Sequence, residues 1–429
     1  MKNRIFNLFF TKDDLWTSII KIFSSSVLTS LITIGLSPLV SRIYSTSAFG
    51  IYAIIFATAS ILSEIITLKY ERAILLPEKS KDSIYVFWIS VFLAALISCV
   101  LYIPIFIFQD HINRFHQLND SGLIWSLPII SFVLATNVCV TNLAIKLMLF
   151  NAMASNRIYI SILLNLMILA LGYFKFQELG LIISYTLSSL FSSLLLVFII
   201  SKKENLYNYN WIEFRYWFKR YINFPKFYLP SVAVESTSIN VPNFFFMNVL
   251  GSSFLGNFNM SNRIVNTPLS LIGNSIRTVF NQAVAQAYSE NKPHMNIFKS
   301  NFYRLVLLSI LPVGIIFIFG PAIFSFVFGN EWHEAGIIAR YLSPVFFFRF
   351  ITSPLSSVLT VYEKINYDFY IQIFSLTSLT ILFYVLWKMD IKNFELYLIV
   401  YNIVYCIKYS FEFILSYYCI KNFEKKILL

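Results

Sequence analysis

Residues 254–282 read FLGNFNMSNRIVNTPLSLIGNSIRTVFNQ, and their polar side chains are spaced to do work. Asn259, Asn262, Asn266, Ser270, Gly273, Arg277 and Asn281 recur every three or four residues. In a helix that spacing puts them on one face, with Arg263 at its edge. Two arginines with no acid on the same helix make the face cationic. Inside a bilayer such a face lines water, or it bonds to a neighbouring helix, since Asn and Ser hold spans together by hydrogen bonds. The charge balance favours a wet, cationic cavity.

Other ionisable residues fall within apolar stretches, where they are costly and mark cavities or partners. The bases are Lys21, Arg263, Arg277, Arg304, Arg349 and Lys408; the acids are Glu64, Glu235 and Glu412. Arg349 shares a face with Ser353, Ser356 and Thr360 near mid-span, and Lys21 shares one with Ser25 and Thr29. Glu235 lies about nine residues deep between Pro230 and Pro242, a carboxylate placed to carry a proton or cation. Glu64, one turn from the end of its span, could do the same, or it could pair with Lys69 or Arg72. Lys408 and Glu412 stand at i and i+4 and can neutralise each other.

The elements that position these residues must be membrane helices. The chain is 58% apolar and 13% charged, half the charge of a soluble domain. A span needs about 20 mostly apolar residues, and twelve candidates lie near 16–43, 49–68, 83–108, 121–145, 156–176, 178–201, 226–250, 253–288, 296–328, 334–361, 367–388 and 393–420. The expectation is an all-α polytopic membrane protein, with two six-helix lobes around a central polar cavity. Residues 1–201 make the N-terminal lobe and 226–429 the C-terminal lobe. Residues 202–225 are a linker whose alternating aromatic and basic residues suit an amphipathic surface helix.

With the N-terminus inside, the inside segments carry 21 Lys and Arg and the outside connections carry 4. That bias puts both termini in the cytoplasm. The charged stretch LKYERAILLPEKSKDS, 68–83, becomes the first inside loop. The first apolar stretch is too long for a cleavable signal and is read as the first span. Pro38 with Phe49-Gly50 in one half and Pro242 with Leu255-Gly256 in the other suggest a repeated unit, a transporter plan. Cys99, Cys139, Cys406 and Cys419 form no C-x-x-C pair and are read as packing residues. No phosphate-binding loop, H-E-x-x-H or G-x-S-x-G occurs, and the four histidines fall in connections. An enzyme is not expected, nor a metal, a cofactor or a nucleic-acid partner.

One stretch carries a family resemblance. A first helix ending in Pro38, Arg42 and Tyr44 is followed by Phe49, Gly50 and Tyr52, then by Tyr70, Glu71, Ala73, Ile74, Leu76 and Pro77. This resembles the polysaccharide and O-antigen flippases of the multidrug/oligosaccharidyl-lipid/polysaccharide exporter superfamily. The resemblance implies a bacterial inner-membrane protein that moves undecaprenyl-pyrophosphate-linked oligosaccharide from the cytoplasmic to the periplasmic leaflet. It implies alternating access coupled to an ion gradient, with membrane lipids, a polysaccharide polymerase and a chain-length regulator as partners. It supplies no site residues. On physical grounds Arg263, Arg277 and Arg349 are assigned to the anionic headgroup or an acidic sugar, since arginine's planar fork fits phosphate, and Lys21 is counted with the substrate-binding residues. Asn259, Asn262 and Asn266 are assigned to sugar hydroxyls, and Glu235 and Glu64 to ion coupling. A drug/cation antiporter of the same superfamily and a lipid-linked polysaccharide polymerase are the alternatives. The excess of bases weighs against the first, and the short outside connections weigh against the second.

Overall fold

The computed structural model describes residues 12–118, 122–206 and 210–428. Lys2 and Arg4, counted in the charge bias, lie outside them. All regular elements among the described residues are helical. They run α1 (Lys12–Ser41), α2 (Thr46–Ile66), α3 (Tyr70–Ala73), α4 (Ser80–Val100), α5 (Tyr102–Ile107), α6 (Gln109–Phe115), α7 (Leu127–Lys146), α8 (Phe150–Tyr173) and α9 (Gln177–Ser201). Then come α10 (Trp211–Arg220), α11 (Leu229–Ser289), α12 (Met295–Phe328), α13 (His333–Leu355), α14 (Val358–Val361), α15 (Ile365–Lys388) and α16 (Phe394–Leu428).

The helices are what an apolar chain must form in lipid, where each backbone N–H and C=O has to be satisfied within its own segment. Ten helical stretches among the described residues are long and apolar enough to span a bilayer. Expected spans seven and eight are the two segments of the 61-residue α11. Their asparagines, serines and arginines make them more polar than the other ten. The segments part at Gly251, whose φ of 86° lies where only glycine sits readily.

By its contacts the chain forms two compact units. The first comprises the residues up to Tyr44 and Ile54–Ser236; the second comprises Ser45–Ala53 and Thr237–Leu429. In the first unit α1 lies along α8, α8 along α9, α9 along α7 and α7 along α4. The expected linker contains α10, capped by Asn210 Oδ1 on the Ile212 N–H at 3.0 Å. Its Phe214 and Trp217 are buried against α4 and α3, while Arg215, Lys219 and Arg220 are exposed. Tyr70 stacks on Phe218 at 5.3 Å and donates its hydroxyl to the Phe218 carbonyl at 2.8 Å.

In the second unit α12 lies along α13, α13 along α16 and α16 along α15. The first two turns of α2 also belong here. Phe49 meets the fully buried Trp332 edge-on at 5.2 Å. Gly50 and Gly256, the paired glycines of the suggested repeat, lie at one close helix crossing. A Cβ on Gly50 would fall 1.8 Å from the Ser252 carbonyl oxygen, and one on Gly256 would fall 1.9 Å from that of Thr46.

Candidate functional site

The polar stripe of α11 is one of two polar faces on that segment. On the buried face Asn257 donates to Glu334 Oε2 at 3.0 Å, and Ser261 donates to the Ala335 carbonyl. These bonds tie α11 to α13 and are the helix-to-helix hydrogen bonds that such residues make in membranes. The opposite face carries the expected site residues. There Asn262 donates to the Phe258 carbonyl at 3.1 Å and Asn266 to Asn262 Oδ1 at 3.0 Å. Asn259 donates to the Leu255 carbonyl at 3.0 Å and to Asn243 Oδ1 at 3.2 Å, across the Gly251 kink. This ladder runs along α11 itself and leaves its outer side accessible, as a surface facing water requires.

Arg349 joins that stripe. Asn266, Ser270 and Asn274 of α11 and Phe346, Arg349 and Ser353 of α13 line a pocket of ≈ 180 Å³. Arg349 is exposed and forms no ion pair among the described residues. The pocket is smaller than the roughly 300 Å³ that drug-sized ligands need. Its scale is that of one charged or hydroxylated group of a larger ligand. Arg263, half-buried, and Arg277, exposed, do not line it, nor do Asn259 and Asn262.

A second polar pocket lies in the first unit, and sequence reasoning missed it. Asn137, Thr141 and Asn142 of α7, Asn156 and Arg157 of α8 and Ser192 of α9 line ≈ 290 Å³. Arg157 donates to Ser26 Oγ at 2.7 Å, and Asn156 donates to Ser192 Oγ at 2.8 Å. The Asn156 Oδ1 atom is buried without a hydrogen-bond partner, an acceptor ready for a hydroxyl or water. The available signal was Asn137 and Thr141 at i, i+4, with Asn156 beside an arginine at the start of a span. Lys21 stands nearby along the α1–α8 contact and donates to Asn151 Oδ1 at 3.1 Å.

The expected coupling acids differ in their surroundings. Glu235 is exposed and forms no ion pair among the described residues. Glu64 takes the pairing that its spacing had allowed and binds Lys69. Lys69 also meets Glu71 at 3.2 Å, and Thr67 donates to Glu71 Oε2 at 2.5 Å. Lys69 and Glu71 are 1% and 3% exposed. These two charges between α2 and α4 are therefore buried core groups rather than solvated ones. Lys408 donates to Gln372 Oε1 at 3.2 Å and lies over the Tyr405 and Tyr409 rings.

Of the motif residues behind the resemblance, Tyr44, Phe49, Gly50, Tyr70, Glu71, Ala73, Ile74 and Pro77 are buried, while Arg42 and Leu76 are exposed. The Tyr44 hydroxyl donates to the Ile168 carbonyl at 2.7 Å, beside Gly172 and Gly180. Burial pushes the phenols of Tyr44 and Tyr70, both between spans, up to about 12.

Residues 20–337 match the family described as polysaccharide biosynthesis protein. No curated protein matches the sequence. Among solved structures, the chain is similar to an inward-facing multidrug resistance MATE family transporter of the MOP superfamily. The TM-score is 0.73 at 13% identity, covering 95% of this chain and 99% of that one. It is also similar to lipid II flippase MurJ, with TM-score 0.62, 17% identity and coverage of 95% and 90%. A MOP superfamily transporter from Pyrococcus furiosus, described as having a binding pocket of reverse polarity, matches with TM-score 0.59, 14% identity and coverage of 95% and 96%. By sequence this multi-pass membrane chain belongs to the polysaccharide biosynthesis protein family, and it has the fold of the MOP superfamily transporters.

Proposed function

We propose that the protein flips undecaprenyl-pyrophosphate-linked oligosaccharide across the bacterial inner membrane, cytoplasmic to periplasmic leaflet, by alternating access. The observation that carries this reading is the Arg349 pocket. It is a fixed cation among amides and hydroxyls within the spans, a costly placement unless an anion or water serves it. Arginine's fork suits a pyrophosphate, and the asparagines and serines beside it suit sugar hydroxyls. Arg157, with the unpartnered Asn156 oxygen, offers the same chemistry in the first unit. Glu235 is the carboxylate assigned to coupling. Both termini are placed in the cytoplasm by the lysine and arginine bias.

The fold likeness to a multidrug transporter supports a second reading, export of cationic drugs. A cationic drug would be repelled by Arg349 and would need a facing acid instead. The two are separated in a deletion strain. Lipid-linked repeat units accumulate on the cytoplasmic side, and the wild-type chain restores their export. Arg349→Ala fails to restore it, and Arg349→Lys restores it partly, keeping charge without the fork. Full surface glycan in a deletion strain that has no second flippase refutes the reading. Unchanged glycan together with new sensitivity to cationic drugs establishes the antiporter.

A further inference from the structure

A larger cavity, ≈ 750 Å³, lies in the second unit between the start of α15 and the last turns of α16. The polar stripe contributes nothing to it. Tyr288, Tyr362, Tyr367 and Tyr418 form its walls, with Lys364 and Lys425 among the lining residues and no carboxylate among the described residues that line it. Both lysines are exposed. The cavity sits where two spans end, since Phe369–Lys388 and Phe394–Lys425 are both membrane-competent.

Its walls are held in place before any ligand arrives. Tyr288 lies 4.7 Å from the Tyr362 ring and 4.8 Å from that of Phe423. The fully buried His294 sets its Nε2 2.7 Å from the Tyr362 hydroxyl. Glu424 Oε1 accepts the backbone N–H groups of His294 and Met295, both at 2.6 Å. Those two bonds pin the end of α16 to the start of α12 and occupy the Glu424 carboxylate.

Beyond the cavity an aromatic seam runs along the same two helices. Phe411 and Leu415 continue the Tyr418 face of α16, and Tyr370 and Phe374 continue the Tyr367 face of α15. Phe374 and Phe411 meet edge-on at 5.9 Å. Tyrosines at a membrane interface sit at headgroup depth, and basic pockets between spans take anionic lipid headgroups. A polar, cationic mouth leading to an exposed apolar seam has the two-part chemistry of a phospholipid-type ligand.

We propose that this cavity binds the phosphate headgroup of a membrane lipid, with the lipid chain lying along the α15–α16 seam. The cavity shares no lining residue with the Arg349 or Arg157 pocket. The source is either an anionic phospholipid or a polyprenyl phosphate carrier, which share the phosphate and the long apolar chain.

The test is native mass spectrometry of the delipidated full chain in detergent, titrated separately with phosphatidylglycerol, undecaprenyl phosphate and a diacylglycerol without phosphate. At least one phosphate lipid binds, and Lys364→Gln combined with Lys425→Gln weakens it by about tenfold or more. Lys292→Gln, outside the cavity, leaves it unchanged. Binding of phosphatidylglycerol supports the site and assigns it to bulk lipid. Binding of undecaprenyl phosphate alone supports it and assigns it to the carrier. Equal binding by wild type and the double variant, or diacylglycerol binding as well as the phosphate lipids, overturns the proposal.

Discussion

Gly50→Ala tests the close crossing of α2 and α11 in the second unit. The added Cβ would lie 1.8 Å from the Ser252 carbonyl oxygen, against 3.4–4 Å for ordinary contact. The obstruction is backbone, so no rotamer change relieves it, and the helices must separate locally by about 1.5 Å. Overpacking of this kind costs roughly 1–3 kcal/mol. The separation also breaks the Ser47–Ser252 hydroxyl contact at 2.7 Å, a further ~0.5–1.5 kcal/mol. The sum is about 1.5–4.5 kcal/mol, and for a unit of about 200 residues it lowers the melting temperature by roughly 3–18 °C. The direct readout is a cross-link. In a chain freed of its four native cysteines, Ser47→Cys with Ser252→Cys oxidises readily, because the side chains already meet at disulfide range. Adding Gly50→Ala carries the pair out of that range and the yield collapses. Gly314→Ala is the control, since its Cβ meets nothing within 4 Å and alanine is the better helix former. Full cross-linking and unchanged melting in the Gly50→Ala chain would refute the crossing.

Lys69→Met leaves Glu71 buried without its cation and destabilises the first unit by about 3–5 kcal/mol. Adding Glu71→Gln recovers most of that loss in a thermal melt, and a Lys69→Met chain that melts like wild type contradicts the buried pair. His116, between spans, is buried, with Nε2 2.8 Å from Thr58 Oγ1 and Nδ1 2.9 Å from the Ile112 carbonyl. Burial lowers its pKa below the usual value, opposed by the Ile112 contact. The unfolded chain therefore takes the proton first as pH falls below about 6.5, so His116 costs stability from there down to its folded pKa. Melts between pH 7.5 and 5 fall with acid, and His116→Gln flattens that slope; an identical slope in the variant removes His116 as the cause.

Helical class was legible along the chain, because each span must satisfy its own backbone; of the twelve expected spans, ten among the described residues are long and apolar enough to cross lipid. The cationic face of α11 was legible too, since helical spacing is local. The pairing of Gly50 with Gly256 was readable as a repeat, but their contact was not, because the two lie about 200 residues apart. Which arginine joins the stripe was also decided by packing. Arg349 enters from α13 and lines the pocket, while Arg277, on the stripe itself, does not. The same holds for Arg157, which shares a pocket with three asparagines only because α7, α8 and α9 pack together. The Glu64–Lys69 pairing was open to the sequence, but only the tertiary structure showed Lys69 buried and paired with Glu71 as well. Sequence periodicity assigns each residue to a face of its own helix, but which faces meet depends on long-range packing, and only the tertiary structure decided that.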